Sequence, residues 1–357
     1  MISGDFVKES IMKYINIFDY KDKRFPFQIF IGGRGTGKTY SAIKGALTGA
    51  VSDKFIFMRR TGQECEMLWD TDKGEGANPF KPINEDIGSN VGIKKIIKNV
   101  GGIYNRVLDE NGKYIYQGSP IGYSLALSTI AGVRGFSFND VSDWFYDEFI
   151  KEKHVRAMTG EGDALLNAYE SICRNRELEG REPVYLWMLA NSNDIYNPIF
   201  ITLNIINDVE KMLRSGKSDK YYPERGLAVH LLQPSEEFVN AKSNTALYRL
   251  TRGTDFASMA LSNKFAFNDF SLIEHRNIVG YRPVCKINDF VIWSKKGMRE
   301  FYCCYAEAKC PTFNSDLRQD RISFMRRFGA RMLPAFSDGR IIFEAYAIKQ
   351  IIVDLLF

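Results

Sequence analysis

Gly32-Gly33-Arg34-Gly35-Thr36-Gly37-Lys38-Thr39 matches GxxxxGK[ST] at every position. Glycines allow a tight turn whose N–H groups converge on a phosphate, and a helix N-terminus adds partial positive charge. A lysine then reaches the β- and γ-phosphates, and a threonine hydroxyl can hold Mg²⁺. The second half of such a site is an acid pair at a strand tip, and "DWFYDEF" supplies it as Asp147 and Glu148. Asp147 suits the metal; Glu148 suits the activation of an attacking water. Asp143 interrupts the apolar run one step earlier. Asn191, ending "YLWMLAN", is placed to sense a terminal phosphate. Arginines complete the set, because phosphoryl transfer builds negative charge that a guanidinium relieves. Arg174 and Arg176 in "SICRNRELEGR", Arg134 in "AGVRGFS" and Arg34 in the loop itself can each reach a neighbouring subunit in a ring. Solvated helix-end or loop positions are the plain alternatives for all of them.

The elements that must position these residues are legible in outline. "FQIFIGG" reads as a buried strand and "KTYSAIKGALTGAV" as the helix after it. "KESIMKYINIFDY" reads as an amphipathic helix preceding them. "DKFIFMRR", "GYSLALS" and "DWFYDEF" are further strands, and "GGIYNRVLDENGKYIYQG" is a hairpin turning at Asn111-Gly112. "GDALLNAYESICRNRELE" is helical, and "PVYLWMLANSN" is a central strand, continuously apolar because both faces are covered. Strands alternating with helices imply a mostly parallel sheet. A strand between the two motif strands would make this an α/β P-loop NTPase of the additional-strand, catalytic-glutamate (ASCE, RecA-like) kind. Residues 1–205 are assigned to that domain. Residues 206–265, which contain the polar "RSGKSDKYYPERG", are read as a lid or linker. Residues 266–357 are read as a smaller C-terminal α+β domain, with hairpins, a basic helix and a final apolar helix.

Composition bounds the partners. The 357 residues are 45% hydrophobic and 25% charged, with net charge +5. A chain of this length exceeds one core and suggests two domains. The charge permits a polyanionic partner without requiring one. Six cysteines without CxxC spacing and three histidines form no zinc array, and imply reduced, buried thiols. No secretion signal or membrane span is read, so a soluble intracellular protein is expected.

"GGRGTGKTY", "FIFMRR", "DWFYDEFIKEK", "CRNRE" and "ANSNDIYNPIF" occur in this order. In that order and spacing they resemble the DNA-packaging (encapsidation) ATPases of small tailed bacteriophages of the phi29 group. The resemblance runs over about residues 25–265, includes "RGTDFASMALSNKF", and is carried mainly by the DEF…RNRE…N…NP series. It implies a homomeric ring, a pentamer, docked on the portal vertex (connector) of an empty capsid and threading double-stranded DNA inward with ATP and Mg²⁺. It implies that Arg174 is a trans-acting arginine finger. It also makes Arg134 a trans-acting lid residue, at a position where the family often has lysine. It implies a C-terminal domain of ribonuclease-H-like fold that has lost its acids. In the phi29 group an RNA ring also tethers the motor, which adds RNA to the partners. The implied location is the host-cell cytoplasm, transiently on the procapsid and absent from the mature virion, with no membrane partner.

Residues beyond 280 contain no DxD or DxE pair to hold the metals of a nuclease. Arg318, Arg321, Arg326, Arg327 and Arg331, with Lys295 and Lys296, can face nucleic-acid phosphates or only solvent. Other readings stay open: a ring helicase or translocase, a full terminase with an active nuclease, or a binding component with a silent nucleotide site.

Overall fold

The computed structural model describes residues 14–69, 78–133, 135–152, 155, 158–254, 257, 269–295 and 300–357. The chain divides into two compact units. One holds residues up to 203 and 212–267, the other 204–211 and 268–357.

The first unit is built on a nine-stranded sheet, in the order β3-β4-β5-β2-β6-β7-β1-β9-β8. β1 is Phe27–Gly32, β2 Lys54–Arg59, β3 Val91–Ile97, β4 Val100–Leu108 and β5 Tyr114–Ala126. β6 is Val141–Asp147, β7 Tyr185–Asn191, β8 Asp219–Tyr222 and β9 Leu227–Leu232. The run β5-β2-β6-β7-β1-β9 is parallel throughout. Antiparallel pairs close the edges, β3-β4-β5 on one side and β8-β9 on the other. β6 is buried at all seven positions and β7 at six, as strands covered on both faces must be. The expected hairpin is β4–β5, and β5 continues through "GYSLA" to pair β2 as well.

Two expectations change. Residues 206–265 are not one lid or linker: the polar "DKYY" is β8, and "LAVHLL" is β9, buried throughout and paired with β1. β8 reads as a loop because it is an edge strand with alternating exposure. Within the buried run, His230 is accounted for: its ring nitrogens lie 2.6 Å from Asp219 Oδ1 and 2.9 Å from Gln28 Oε1. The N-terminal helix appears only as the single 3₁₀ turn Ile17–Tyr20. The rest of that expected helix lies mostly outside the described residues.

The second unit carries a five-stranded sheet, β13-β10-β11-β12-β14. β10 is Tyr281–Ile287, β11 Phe290–Lys295, β12 Phe301–Tyr305, β13 Thr312–Phe313 and β14 Ile341–Phe343. The first three form an antiparallel meander, with a parallel strand on each edge. The helix Tyr346–Leu356 buries Ile348 and Ile352, and Lys349 is buried with them. Lys349 Nζ donates to Asp269 Oδ2 at 2.7 Å and to the Ser271 carbonyl at 2.9 Å. This is the α+β unit expected from the sequence. All six cysteines are free, and five are buried. Burial pushes the Cys65 thiol up to about 11, which makes it a poor nucleophile.

Among the described residues no helix is long and apolar enough to cross a membrane.

Candidate functional site

β1 runs into the glycine-rich loop, and the helix Lys38–Leu47 follows. Gly35 and Gly37 take φ of +80° and +91°, a conformation that side chains disfavour. This is the reason the loop needs glycine there. The turn leaves the first N–H groups of the helix without intrahelical partners, facing a pocket lined by Arg34 to Tyr40, Asp147, Glu148 and Asn191.

Lys38 is buried, and its ammonium rests on the loop itself. Nζ donates to the carbonyls of Gly32 and Gly33 at 3.0 and 3.1 Å and to Thr36 Oγ1 at 3.2 Å. Burial pushes the Lys38 ammonium down to about 8, opposed chiefly by Asp147. Asn191 reaches the same ammonium at 3.5 Å because β7 lies between β6 and β1, with Asn191 in register with Gly32. The expected intervening strand is therefore present, and its terminal polar residue faces the cradle.

Asp147 is the last residue of β6, and the Thr39 hydroxyl donates to its Oδ1 at 2.7 Å. Burial raises the Asp147 carboxyl; the Arg59 guanidinium opposes that rise. Arg59 Nη1 lies 3.1 Å from Asp147 Oδ2 and 2.7 Å from Glu148 Oε2. Glu148 holds φ of +55°, in the left-handed region, at a cost of about 1 kcal/mol or more. Such outliers persist where surrounding structure imposes them. Glu148 is also half-exposed, so its carboxylate borders both the guanidinium and the open pocket.

Arg59 is the site residue that the motif reading misses. Its signal was in "FIFMRR". β2 pairs β6 with Met58 opposite Tyr146, so the next residue of each strand, Arg59 and Asp147, meet at the tip. Arg60 turns the other way. Its Nε and Nη2 bind the two oxygens of Glu161 at 2.7 and 2.8 Å, and the Tyr146 hydroxyl donates to Glu161 at 2.9 Å. Asp143 belongs to neither face of the chemistry. It is fully buried, accepts from Trp187 Nε1 at 2.9 Å and Ser142 Oγ at 2.7 Å, and pairs with Lys21 at 3.3 Å.

The remaining arginines separate. Arg34 pairs with Glu152 of its own chain rather than standing free. Arg176 is half-buried and donates to the Val141 carbonyl at 2.5 Å, which makes it a strut under β6. Arg174 follows the helix Glu161–Cys173 with φ of +47°, is exposed, and makes no hydrogen bond or ion pair with the cradle. Arg134 lies outside the described residues.

Hard oxygen donors suit Mg²⁺, which takes one or two protein ligands and completes its shell with water and phosphate. Thr39 Oγ1 and Asp147 Oδ1 are 2.7 Å apart, two oxygen donors that would hold such an ion, Asp147 through a water of its shell. The pair fits that ion. Elsewhere, among the described residues, no three His, Cys, Asp or Glu side chains gather as a metal site. Asp320 accepts from the Asn314 N–H at 2.8 Å, and Arg321 donates to the Asp354 carbonyl. Arg318, Arg326, Arg327 and Arg331 are exposed. Lys295 ends β11 with its ammonium 5.6 Å from the Tyr281 ring centroid, and Lys296 lies outside the described residues.

A family model described as podovirus DNA encapsidation protein (Gp16) matches residues 103–292. The chain is 25% identical over 250 residues to the DNA packaging protein of Bacillus phage PZA and, equally, to that of Bacillus phage phi29. Each match covers 69% of this chain and 64% of the relative, so it spans less than two thirds of their length. A solved bacteriophage Phi-29 viral genome packaging motor assembly shares the fold. Its TM-score is 0.64 at 21% identity, covering 96% of this chain and 98% of that one. The Phi-28 gp11 DNA packaging motor gives 0.59 at 20% identity, covering 97% of each.

Proposed function

The chain belongs to the podovirus DNA encapsidation protein (Gp16) family, and on that premise we propose that it is an ATP-hydrolysing motor that moves double-stranded DNA into a preformed procapsid. One observation carries the reading. The phosphate-loop hydroxyl of Thr39 meets Asp147, and the neighbouring Glu148 is held beside an open pocket by Arg59. A merely structural acid pair would not need a half-exposed glutamate on a strained backbone.

In this reading Thr39 and Asp147 hold Mg²⁺, which neutralises phosphate charge when bound. The loop N–H groups take the β-phosphate. Lys38 exchanges the Gly32 and Gly33 carbonyls for phosphate oxygens. Glu148 leaves Arg59 to orient a water in line with the terminal phosphate and to accept its proton. Arg59 thereby holds the base in reserve when no substrate is present. Asn191 sits where it can report the terminal phosphate through Lys38. Arg174, exposed and without an ion-pair partner among the described residues, is the cation for a neighbouring copy's nucleotide, and Arg134 a second one.

The working form is a homomeric ring, a pentamer, on the connector of the procapsid in the host cytoplasm, absent from the mature virion. RNA as a further tether belongs to the same reading, with the exposed Arg318, Arg326, Arg327 and Arg331 as its candidate surface. Contacts to DNA go to phosphates and weaken with salt. Ring symmetry repeats each loop cation around the axis, so a net charge of +5 per chain is sufficient.

The test is DNA uptake by emptied procapsids, read as nuclease-protected DNA, together with ATP turnover. Protection should require ATP and Mg²⁺ and vanish with Lys38→Ala. The reading is overturned if procapsids and duplex ends elicit no turnover, or if forked DNA alone stimulates it.

A further inference from the structure

Lys242, in the first unit, belongs to none of the motifs. The helix Glu236–Ser243 follows β9 through Pro234 and is capped by Ser235, whose Oγ accepts from the Phe238 N–H at 3.2 Å. Its last turn presents Lys242 to the phosphate loop, where Nζ donates to the carbonyl of Arg34. The same ammonium lies 3.3 Å from where a β-carbon on Gly35 would stand. Two rings flank it, Phe238 at 5.0 Å and Tyr248 at 5.2 Å to the centroids.

This is an expensive place for a cation with one hydrogen bond among the described residues. Half-buried ammonium groups lose hydration, and π faces recover only part of it. Burial and Arg34 both disfavour the charged form of Lys242. Lys242 in turn disfavours the charged form of Lys38. Lys38 and Lys242 thus rest in the same way, each ammonium on carbonyls of the loop that separates them. A polyphosphate in the cradle would relieve both. The helix that carries Lys242 has eight residues, and the next, Ala246–Leu250, has five. Helices this short depend on tertiary contacts. Leu247 and Leu250 are exposed, and the second helix is anchored mainly through the buried Tyr248. A movement of this segment would exchange the Arg34 carbonyl for a phosphate oxygen.

We infer that Lys242 is a second phosphate-binding lysine of the nucleotide site, delivered in cis by a lid and directed at the terminal phosphate. This rests on the nucleotide-site reading above. The lid then closes on a triphosphate and relaxes on a diphosphate, which ties residues 236–250 to the state of the nucleotide.

Equilibrium binding of fluorescent ATP and ADP analogues with Mg²⁺ to the full chain tests this. Lys242→Met keeps the aliphatic stem and the ring packing. It should weaken the ATP analogue about 10- to 100-fold, the scale of a lost charge-assisted hydrogen bond, and leave the ADP analogue within about twofold. Lys242→Arg should recover most of the difference. Equal weakening of both nucleotides, or unchanged ATP binding, overturns the inference. Failure of the unmodified chain to bind either nucleotide would instead overturn the nucleotide-site reading, so the two failures are distinguishable. Limited proteolysis supplies an independent measure. ATP analogue should protect residues 236–250 in the unmodified chain but not in Lys242→Met, and equal protection in both also overturns the inference.

Discussion

Arg59 and Arg60 are neighbours in sequence and opposites in role. Arg59 faces the phosphate loop, shares Asp147 and Glu148, and leaves its Nε buried without a partner among the described residues. Arg60 faces the helix Glu161–Cys173 and binds Glu161 through two parallel hydrogen bonds, with both side chains buried. The acid strand repeats the division: Asp147 points to the loop, and Tyr146 donates to Glu161. One face of the strand tips is under-satisfied, strained and open. The other is saturated and closed. A group that must change partners during a cycle cannot have all its bonds filled, and a group that fixes the frame must.

The contrast can be broken experimentally. The largest effect belongs to Arg174→Ala, expected to lower turnover in assembled rings by about 10³–10⁵ with no change in thermal midpoint. Mixed rings should recover activity when a neighbour supplies the arginine to an intact site, and failure of that complementation removes the trans role. Glu148→Gln should bind ATP normally and lose about 10²–10⁴ of its turnover, again without loss of stability. A fallen midpoint would place Glu148 on the structural side of the division.

The closed face should behave in reverse. Arg60→Met leaves Glu161 buried and unpaired and is expected to cost about 3–5 kcal/mol of stability. Chemical denaturation would measure it. Arg60→Met combined with Glu161→Leu should recover much of that loss, because a buried pair replaced as a pair is often near neutral. No recovery would mean that Tyr146 or the helix terminus, rather than charge pairing, sets the frame.

The smallest effect sharpens the same rule in the second unit. Lys349 holds the Asp269 carboxyl down to about 2. An unfolded aspartate titrates near 3.9, so the lowered folded value adds stability above pH 4 that is lost as pH falls towards 2. The carboxylate is largely exposed and screened, so the slope should be shallow. Asp269→Asn should flatten the stability curve between pH 4 and 2. An unchanged curve would show that the Lys349 bonds to backbone carbonyls suffice.

Much of the site was legible because its chemistry is local. A phosphate loop needs positive φ at fixed positions, so Gly35 and Gly37 print a pattern in one dimension. An acid pair at the end of a buried apolar run prints another, and "YLWMLAN" marks the strand that separates them. The readings that failed depend on neighbours. β8 looked like linker because an edge strand needs little apolar character, and Asp143 looked like a flaw in the acid strand because Lys21 and Trp187 are far from it in sequence.

What the sequence determined alone is the cradle, since its backbone conformation follows from residue types within a short window. Tertiary structure decided which cations stand beside it. Arg59 and Lys242 lie outside the motif, and Arg34 and Arg176 are drawn to partners of their own. Charge acts through space, and only the packing of β2 on β6, and of the segment after β9 over the loop, sets those distances.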